Sequence, residues 1–205
     1  MLISVFIAAN ETGLMRRMVC TAATVPVKYP QPTLSMWRMQ MPNADIETAH
    51  QVYEQLLSRT RSLILGTTNP DGSPLTSYAP FIVNEQQQFT IFTSQLAAHT
   101  ANLQRTGRAS VMLIEDEAAT KQIFARQRVT FQCRASLIPR DSEEGQAALA
   151  DYEARFGKMV GLLKSLPDFQ LFRLQPQSGS LVTGFAQAYT LSGDGFEIIT
   201  PRGRG

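Results

Sequence analysis

Ser62-Leu-Ile-Leu-Gly-Thr-Thr-Asn-Pro-Asp-Gly-Ser-Pro74 is the stretch that decides the fold. Its first seven residues are mainly apolar or β-branched, which favours a strand. Turn residues follow, and the Asp-Gly pair supplies the positive φ that a tight hairpin requires. Residues 75–83 then predict the return strand, and residues 89–93 a third strand after a second turn. Three strands in such close succession predict an antiparallel meander rather than a βαβ unit.

The rest of the chain adds strands and a few helices to this meander. Before it, apolar residues recur at helical spacing over residues 46–58, with Asp45 as a plausible N-cap. After it, we predict a short helix over 96–105, a helix beginning at Asp141 in a capping box with Glu144, and another helix over 159–166. The further predicted strands are 109–114, 128–138, 169–174, 181–185 and 188–191. This pattern predicts a mainly β (α+β) protein, a closed or nearly closed small barrel with peripheral helices.

Residues 1–44 differ from the remainder and are predicted to lie outside the folded domain, which spans 45–205. Six of the eight methionines and four prolines fall there, and no helical or strand period persists. Two interpretations remain open: translation starts downstream, at Met36, Met39 or Met41, or the segment is a basic targeting or tethering tail. In either case we expect it to be disordered.

Charge and cysteine content limit the function classes. Residues 1–44 carry four basic and one acidic side chain (4 − 1 = +3), which leaves 15 bases and 16 acids, or −1, for the folded part. A nearly neutral domain lacks the basic field that nucleic-acid binding requires, and no apolar run is long enough for a membrane span. The cysteines, Cys20 and Cys133, form neither a disulfide framework nor a metal-spaced set, so we expect an intracellular, cytoplasmic protein in which Cys133 is a small buried hydrophobe.

Two segments carry candidate functional chemistry. Ile114-Glu-Asp-Glu-Ala-Ala-Thr-Lys-Gln-Ile-Phe-Ala-Arg-Gln-Arg-Val-Thr-Phe131 joins two predicted strands through three acids and then three bases, which suits either a solvated loop or a rim where subunits or a ligand meet. In the second segment, a strand leads into a predicted helix whose start suits an anion such as phosphate. Thr93, Ser94 and His99 are candidate donors there, or else a helix cap and a surface histidine. The chain contains no G-x-G-x-x-G, P-loop, metal-spaced Cys/His set or nucleophile elbow, so any activity would need a bound cofactor.

Several stretches resemble a known family. The segment 63–74, followed by Phe92-Thr-Ser94, resembles the pyridoxamine 5′-phosphate oxidase-like, FMN-binding split-barrel superfamily. Four others resemble its haem-utilisation branch. They are Ser77-Tyr-Ala-Pro-Phe81, Ile114 to Arg126, Asp168-Phe-Gln-Leu-Phe-Arg-Leu174 and Gly184-Phe-Ala-Gln-Ala-Tyr189.

The resemblance implies a homodimer of six-stranded antiparallel split barrels that holds its ligand between subunits. In the haem-utilisation branch it implies a haem ligand, with Arg128 facing the distal side and Asp168 supporting a proximal histidine from the C-terminal tail. It also makes Tyr78, Thr93, Ser94, His99, Lys121 and Arg126 candidate cofactor contacts. Lys121, Arg126 and Arg173 are suited to propionates or phosphate, or else are ordinary surface charges. No metal-binding residue is predicted within the chain. Arg128 has the alternative of an interface ion pair with Asp116 or Glu117, and Asp168 that of an acid ending a helix.

The sequence departs from the family at two points. His99 replaces the lysine that flavin-binding members carry near the start of this helix, and no histidine follows His99 up to Gly205. Three hypotheses therefore stay open: a haem-binding protein that degrades or stores haem, an FMN-dependent oxidoreductase, or a non-catalytic dimeric binding protein with a degenerate site.

Overall fold

The fold is a strand-rich barrel with helices on its outside. A computed structural model describes residues 44–193, 196 and 198–202, so the prediction of a disordered leader over 1–44 lies outside the described residues. Within them the strands are β1 Ser62–Thr68, β2 Pro74–Val83, β3 Phe89–Ser94, β4 Arg108–Ile114, β5 Arg128–Ile138, β6 Phe169–Gly184, β7 Gln187–Ser192 and β8 Ile198–Pro201. The helices are α1 Ala44–Arg59, α2 Ala98–Thr106, α3 Glu143–Phe156 and α4 Met159–Ser165, and two 3-10 turns, Glu117–Ala119 and Ile123–Ala125, lie between β4 and β5.

Six antiparallel strands close on themselves. Their order is β3-β2-β1-β4-β5-β6, and the first half of β6 pairs with β3, which completes the ring. The second half of β6 leaves the ring and continues through β7 to β8. The predicted six-stranded antiparallel barrel with peripheral helices is therefore confirmed, and closure removes the exposed edges that an open sheet would present.

The barrel interior is filled by the inward-facing residues of each strand. Leu63 and Leu65 on β1 and Val129, Phe131 and Cys133 on β5 are buried, whereas the residues between them are exposed or half-buried. This alternation is the period-2 pattern of a strand with one buried face. Burial raises the pKa of the Cys133 thiol to about 12, so Cys133 is the small buried hydrophobe that the sequence predicts rather than a reactive thiol.

A second cluster fixes α3 to the barrel. The ring of Tyr152 packs against Phe92, with ring centroids 6.1 Å apart. Its hydroxyl oxygen accepts a hydrogen bond of 3.0 Å from the backbone N–H of Phe92 and lies 2.9 Å from the carbonyl oxygens of Pro80 and Thr90. Burial raises the pKa of this phenol, so Tyr152 remains a neutral donor that joins α3 to β2 and β3.

Several details differ from the sequence-based predictions. α1 begins at Ala44, so Asp45 lies within the helix rather than at its N-cap. Ser142, not Asp141, is the N-cap of α3, because its hydroxyl accepts a hydrogen bond from the backbone N–H of Gly145. The predicted strands 169–174 and 181–185 are parts of one strand, β6, because the intervening polar residues continue the pairing with β5 through a bulge. β8, which pairs with β7, was not predicted.

Candidate functional site

The end of β3 and the start of α2 gather four of the predicted site residues: Thr93, Ser94, His99 and Asp168. The Thr93 hydroxyl oxygen lies 2.6 Å from Nε2 of His99 and 3.0 Å from the hydroxyl oxygen of Thr100. Asp168 immediately precedes β6, which pairs with β3, and its carboxylate accepts a 2.5 Å hydrogen bond from the Ser94 hydroxyl. We call these four residues the Asp168 cluster.

The hydrogen bonds around Thr93 and Thr100 determine the tautomer of His99. The Thr100 hydroxyl donates to the carbonyl oxygen of Ser94 at 2.6 Å, so in its contact with Thr93 the Thr100 oxygen can only accept. Thr93 therefore donates to Thr100, and Nε2 of His99 donates to Thr93. Burial lowers the pKa of His99 below its ordinary value of 6.5, and the resulting neutral ring carries its lone pair on Nδ1.

Both the backbone and the side chain of Asp168 accept hydrogen bonds. The backbone N–H of Gln95 donates to the carbonyl oxygen of Asp168 at 2.9 Å, while the Ser94 hydroxyl holds the carboxylate. The same Ser94 oxygen accepts from the backbone N–H of Leu96 at 3.1 Å. α4 ends at Ser165, and the carboxylate of Asp168 bonds to a different element, so its described contacts are not those of an acid that caps a helix.

The other predicted residues of the site lie in and beside the connection between β4 and β5. Arg126 donates through Nε to the carbonyl oxygen of Glu115 at 2.7 Å and pairs through Nη1 with the carboxylate of Glu117 at 3.4 Å. Arg128, the first residue of β5, donates through Nη1 to the carbonyl oxygen of Arg126 at 2.9 Å. Within one protomer, Glu117 is therefore paired with Arg126 rather than with Arg128. Lys121 is exposed in the same connection.

The structure places Arg128 and Asp168 at opposite ends of one strand. Arg128 pairs with Val182, near the end of β6, whereas Asp168 directly precedes its first residue. The separation along the strand is 182 − 168 = 14 residues. At the rise of an extended chain this corresponds to roughly 30–45 Å, depending on how strongly the strand coils. One protomer therefore does not bring these two residues into a single site.

Tyr78 lies on the outer face of the barrel. Its side chain is 70% exposed, and it pairs with Ile64, which in turn pairs with Met112. All three residues alternate with buried neighbours, so they share the outward-facing surface, and Ile64 and Met112 are only half-buried.

Two contributions to the site were missed from the sequence. Thr100 is buried and links Thr93 to the backbone of Ser94, and its position one residue after His99 is the signal that could have identified it. Phe124 and Ile123, in the second 3-10 turn, are 87% and 51% exposed. Their apolar character within a charged connection was the available signal for a contact surface.

Barrel closure and the Asp168 cluster define a split-barrel protein with a polar cluster where β3 enters α2. The pyridoxamine 5′-phosphate oxidase family model matches residues 49–183. The curated protein heme oxygenase HutZ of Vibrio cholerae serotype O1 is 46% identical over 134 residues, which cover 65% of this chain and 76% of HutZ.

Solved structures give the same result. The crystal structure of HutZ, called the heme storage protein from Vibrio cholerae, matches with a TM-score of 0.62 and 38% identity over 66% of this chain and 94% of that one. Campylobacter jejuni ChuZ matches with a TM-score of 0.69 and 26% identity over 80% of this chain and 65% of that one. The chain belongs to the pyridoxamine 5′-phosphate oxidase family and is related within it to HutZ, which confirms the resemblance identified from the sequence.

Among the described residues, no helix is long and apolar enough to cross a membrane. The same residues contain no group of three or more His, Cys, Asp or Glu side chains arranged to hold a metal ion.

Proposed function

We propose that this protein is a haem-binding homodimer that holds haem between its subunits and degrades it oxidatively. The observation that carries the proposal is the 46% identity to a protein named heme oxygenase. The positions of Arg128 and Asp168, the two residues that the resemblance makes functional, support it when two copies are considered together. The cytoplasmic location expected from the sequence remains part of this proposal.

A two-fold dimer accounts for the separation of Arg128 from Asp168. In an isologous dimer, each surface contacts the same surface on the other copy, so a residue at one end of the interface meets a residue from the opposite end. The outer face that carries Ile64, Tyr78 and Met112 supplies partly exposed apolar area. A second copy on this face brings the Arg128 end of one subunit to the Asp168 cluster of the other, which forms two equivalent sites.

The side chains at the two ends fit a haem group. Haem needs apolar contacts for its macrocycle, and two exposed apolar side chains are available to provide them. Leu96, beside the Asp168 cluster, is 93% exposed, and Phe124, near Arg128 in sequence, is also exposed. Its propionates need cationic partners, which Lys121 and Arg126 provide. The resemblance implies an axial histidine in the C-terminal tail, and no histidine follows His99 in the sequence, so no side chain is assigned that role.

When bound, haem supplies an iron centre at which dioxygen is reduced. Arg128 supplies positive charge and a planar set of N–H donors. Ser94 and the backbone N–H of Gln95 hold Asp168 in one orientation, which pre-organises its carboxylate for a partner that donates a hydrogen bond.

FMN is the less favoured ligand. The first turn of α2, Ala98-His-Thr-Ala101, contains neither lysine nor arginine, and its N-cap is Ala97, which makes no side-chain cap. Because the pKa of His99 is lowered, its ring adds no positive charge near neutral pH. The anion site expected here from the sequence therefore lacks a cationic side chain, which argues against a seat for the FMN phosphate.

The test is to titrate the purified protein separately with hemin and with FMN. We expect a shifted Soret band that saturates at one haem per subunit and no quenching of flavin fluorescence. Quenched flavin fluorescence without a Soret change would support the FMN-dependent alternative, and a response to neither ligand would support a non-catalytic protein with a degenerate site. Either result contradicts the proposal.

Arg128→Ala separates binding from breakdown. If Arg128 acts on the reaction rather than on affinity, haem breakdown with ascorbate should slow by on the order of 100-fold, while the hemin titration stays within about twofold of wild type. Lys158→Ala, which removes an exposed cation elsewhere, is the matched control. Equal losses of binding and breakdown in Arg128→Ala would contradict the assigned role.

A further inference from the structure

The outer face of the barrel contains a groove that lies apart from the Asp168 cluster. Its volume is about 870 Å³, within the usual range for sites that bind small molecules. Residues of β1, β2, β4 and β5 line it, together with the end of α2. None of its lining residues belongs to the site predicted from the sequence.

Two neighbouring arginines line this groove. Arg108 on β4 is paired directly with Arg134 on β5, both side chains are exposed, and both line the groove. Like charges directly opposite each other across two strands are destabilising. Neither arginine forms an ion pair within the described residues, and no aspartate or glutamate lines the groove. This arrangement leaves two guanidinium groups for an external anion.

A third arginine lies at the margin. Arg105, in the last turn of α2, donates through Nη2 to the carbonyl oxygen of Thr68, which itself lines the groove. Its guanidinium is therefore anchored beside the pair. Planar guanidinium groups bind phosphate and carboxylate oxygens through two parallel hydrogen bonds, so three of them around one concave surface favour an anion with several oxygens.

Small residues and polar side chains form the base of the groove. Gly66 on β1 pairs with Ser110 on β4, and a Cβ added to Gly66 would lie 3.4 Å from the Cβ of Ser110. These two small residues leave room above the sheet. The Gln132 amide donates to the Ser110 hydroxyl at 3.3 Å, and Thr76 adds another hydroxyl to the lining. Such a floor suits a hydroxylated ligand body rather than an apolar one.

We propose that this groove binds a small phosphate-bearing molecule with a hydroxylated body, such as a sugar phosphate. Arg108 and Arg134 hold the phosphate, with Arg105 at the margin. The body lies over Gly66 and Ser110 and exchanges hydrogen bonds with Gln132 and Thr76. Gly66, Thr76 and Ser110 lie two residues along their strands from Ile64, Tyr78 and Met112, on the same outward face, so the site requires that the proposed dimer leave this part of the face accessible. Anion binding and haem binding are measured separately, so the failure of one is distinguishable from the failure of the other.

Isothermal titration of the whole chain with ribose 5-phosphate and with inorganic phosphate, at constant ionic strength, tests the site. We expect saturable binding of ribose 5-phosphate with a Kd below about 1 mM. Arg108→Gln and Arg134→Gln should each weaken it at least tenfold, since a hydrogen bond to a charged group contributes about that factor or more. Lys158→Gln, with the same loss of charge at an exposed position, should stay within about twofold.

Gly66→Val tests the floor without changing charge. It should weaken ribose 5-phosphate while inorganic phosphate still binds, because only the ligand body lies over Gly66. Absence of saturable binding to wild type would overturn the proposal, and so would equal losses in the arginine variants and Lys158→Gln. If the arginine variants instead dissociate a dimer and no anion binds, the groove belongs to an interface between two copies and the proposal is wrong.

Discussion

The protonation of His99 depends on its partly buried surroundings. Burial lowers its pKa below 6.5, so the unfolded chain binds this proton more readily than the folded chain. The free energy of unfolding is therefore at its full value above pH 6.5, and it decreases as the pH falls from 6.5 through the lower pKa of His99 in the folded state. An NMR titration of the imidazole resonances should give a midpoint below 6.5 in the native protein and near 6.5 in urea. A native midpoint at or above 6.5 would contradict the buried, neutral assignment.

Tyr152 is the residue on which the attachment of α3 depends. Tyr152→Phe keeps the ring but removes the acceptor for the buried N–H of Phe92, so we expect the free energy of unfolding to fall by about 1–3 kcal/mol. Tyr78→Phe, at a 70% exposed position, should change it by less than about 0.5 kcal/mol. Urea denaturation measures both variants, and equal effects would show that the Tyr152 hydroxyl is not structural.

Only some of the residues of the Asp168 cluster could be predicted to lie together from the sequence. Thr93, Ser94 and His99 lie within seven residues of each other, and a strand that runs into a helix brings them together, which sequence spacing alone indicates. The contact between Ser94 and Asp168 joins residues 74 positions apart. It depends on β3 pairing with β6 to close the barrel, and no local pattern in the sequence encodes that pairing.

At the scale of elements, strands with clean alternation were predicted well and polar strands were not. β1 and β5 have the predicted bounds because buried residues alternate with outward-facing residues along them. The middle of β6, Gln175-Pro-Gln-Ser-Gly-Ser180, looks like a loop because it contains proline and glycine. There the strand passes through a bulge, and Gly179 packs against the Phe131 ring so closely that a Cβ would lie 3.0 Å from it.

Dimerisation is proposed to depend on the outer face formed by β1, β2 and β4. Met112→Lys puts a charge in the centre of this face, where its desolvation would oppose association. We expect analytical ultracentrifugation to show a monomer for this variant and a dimer for the wild type, with unchanged circular dichroism. Thr190→Lys, at an exposed position on β7, is the control and should remain dimeric. A dimeric Met112→Lys would exclude this face.

At the scale of the whole molecule, each subunit is proposed to contribute the opposite halves of two sites. The resemblance assigned Arg128 and Asp168 to one haem site, and the register of β5 and β6 puts them beside opposite ends of β6 within one protomer. This separation could not be read from the sequence, because it depends on β6 running as one strand from Phe169 to Gly184. In a two-fold dimer, Arg128 of one subunit and Asp168 of the other can form one site, and this requires no conformational change in the barrel.

Complementation between two inactive variants tests this arrangement most directly. Arg128→Ala and Asp168→Ala homodimers should each break down haem slowly, because both of their sites are defective. Co-expression gives about one half heterodimers, in which one site carries both substitutions and the other carries neither, so the mixture should recover roughly a quarter of the wild-type rate. If the mixture stays as slow as the separate variants, Arg128 and Asp168 of the same chain share a site or do not act together, and the proposed dimer is wrong.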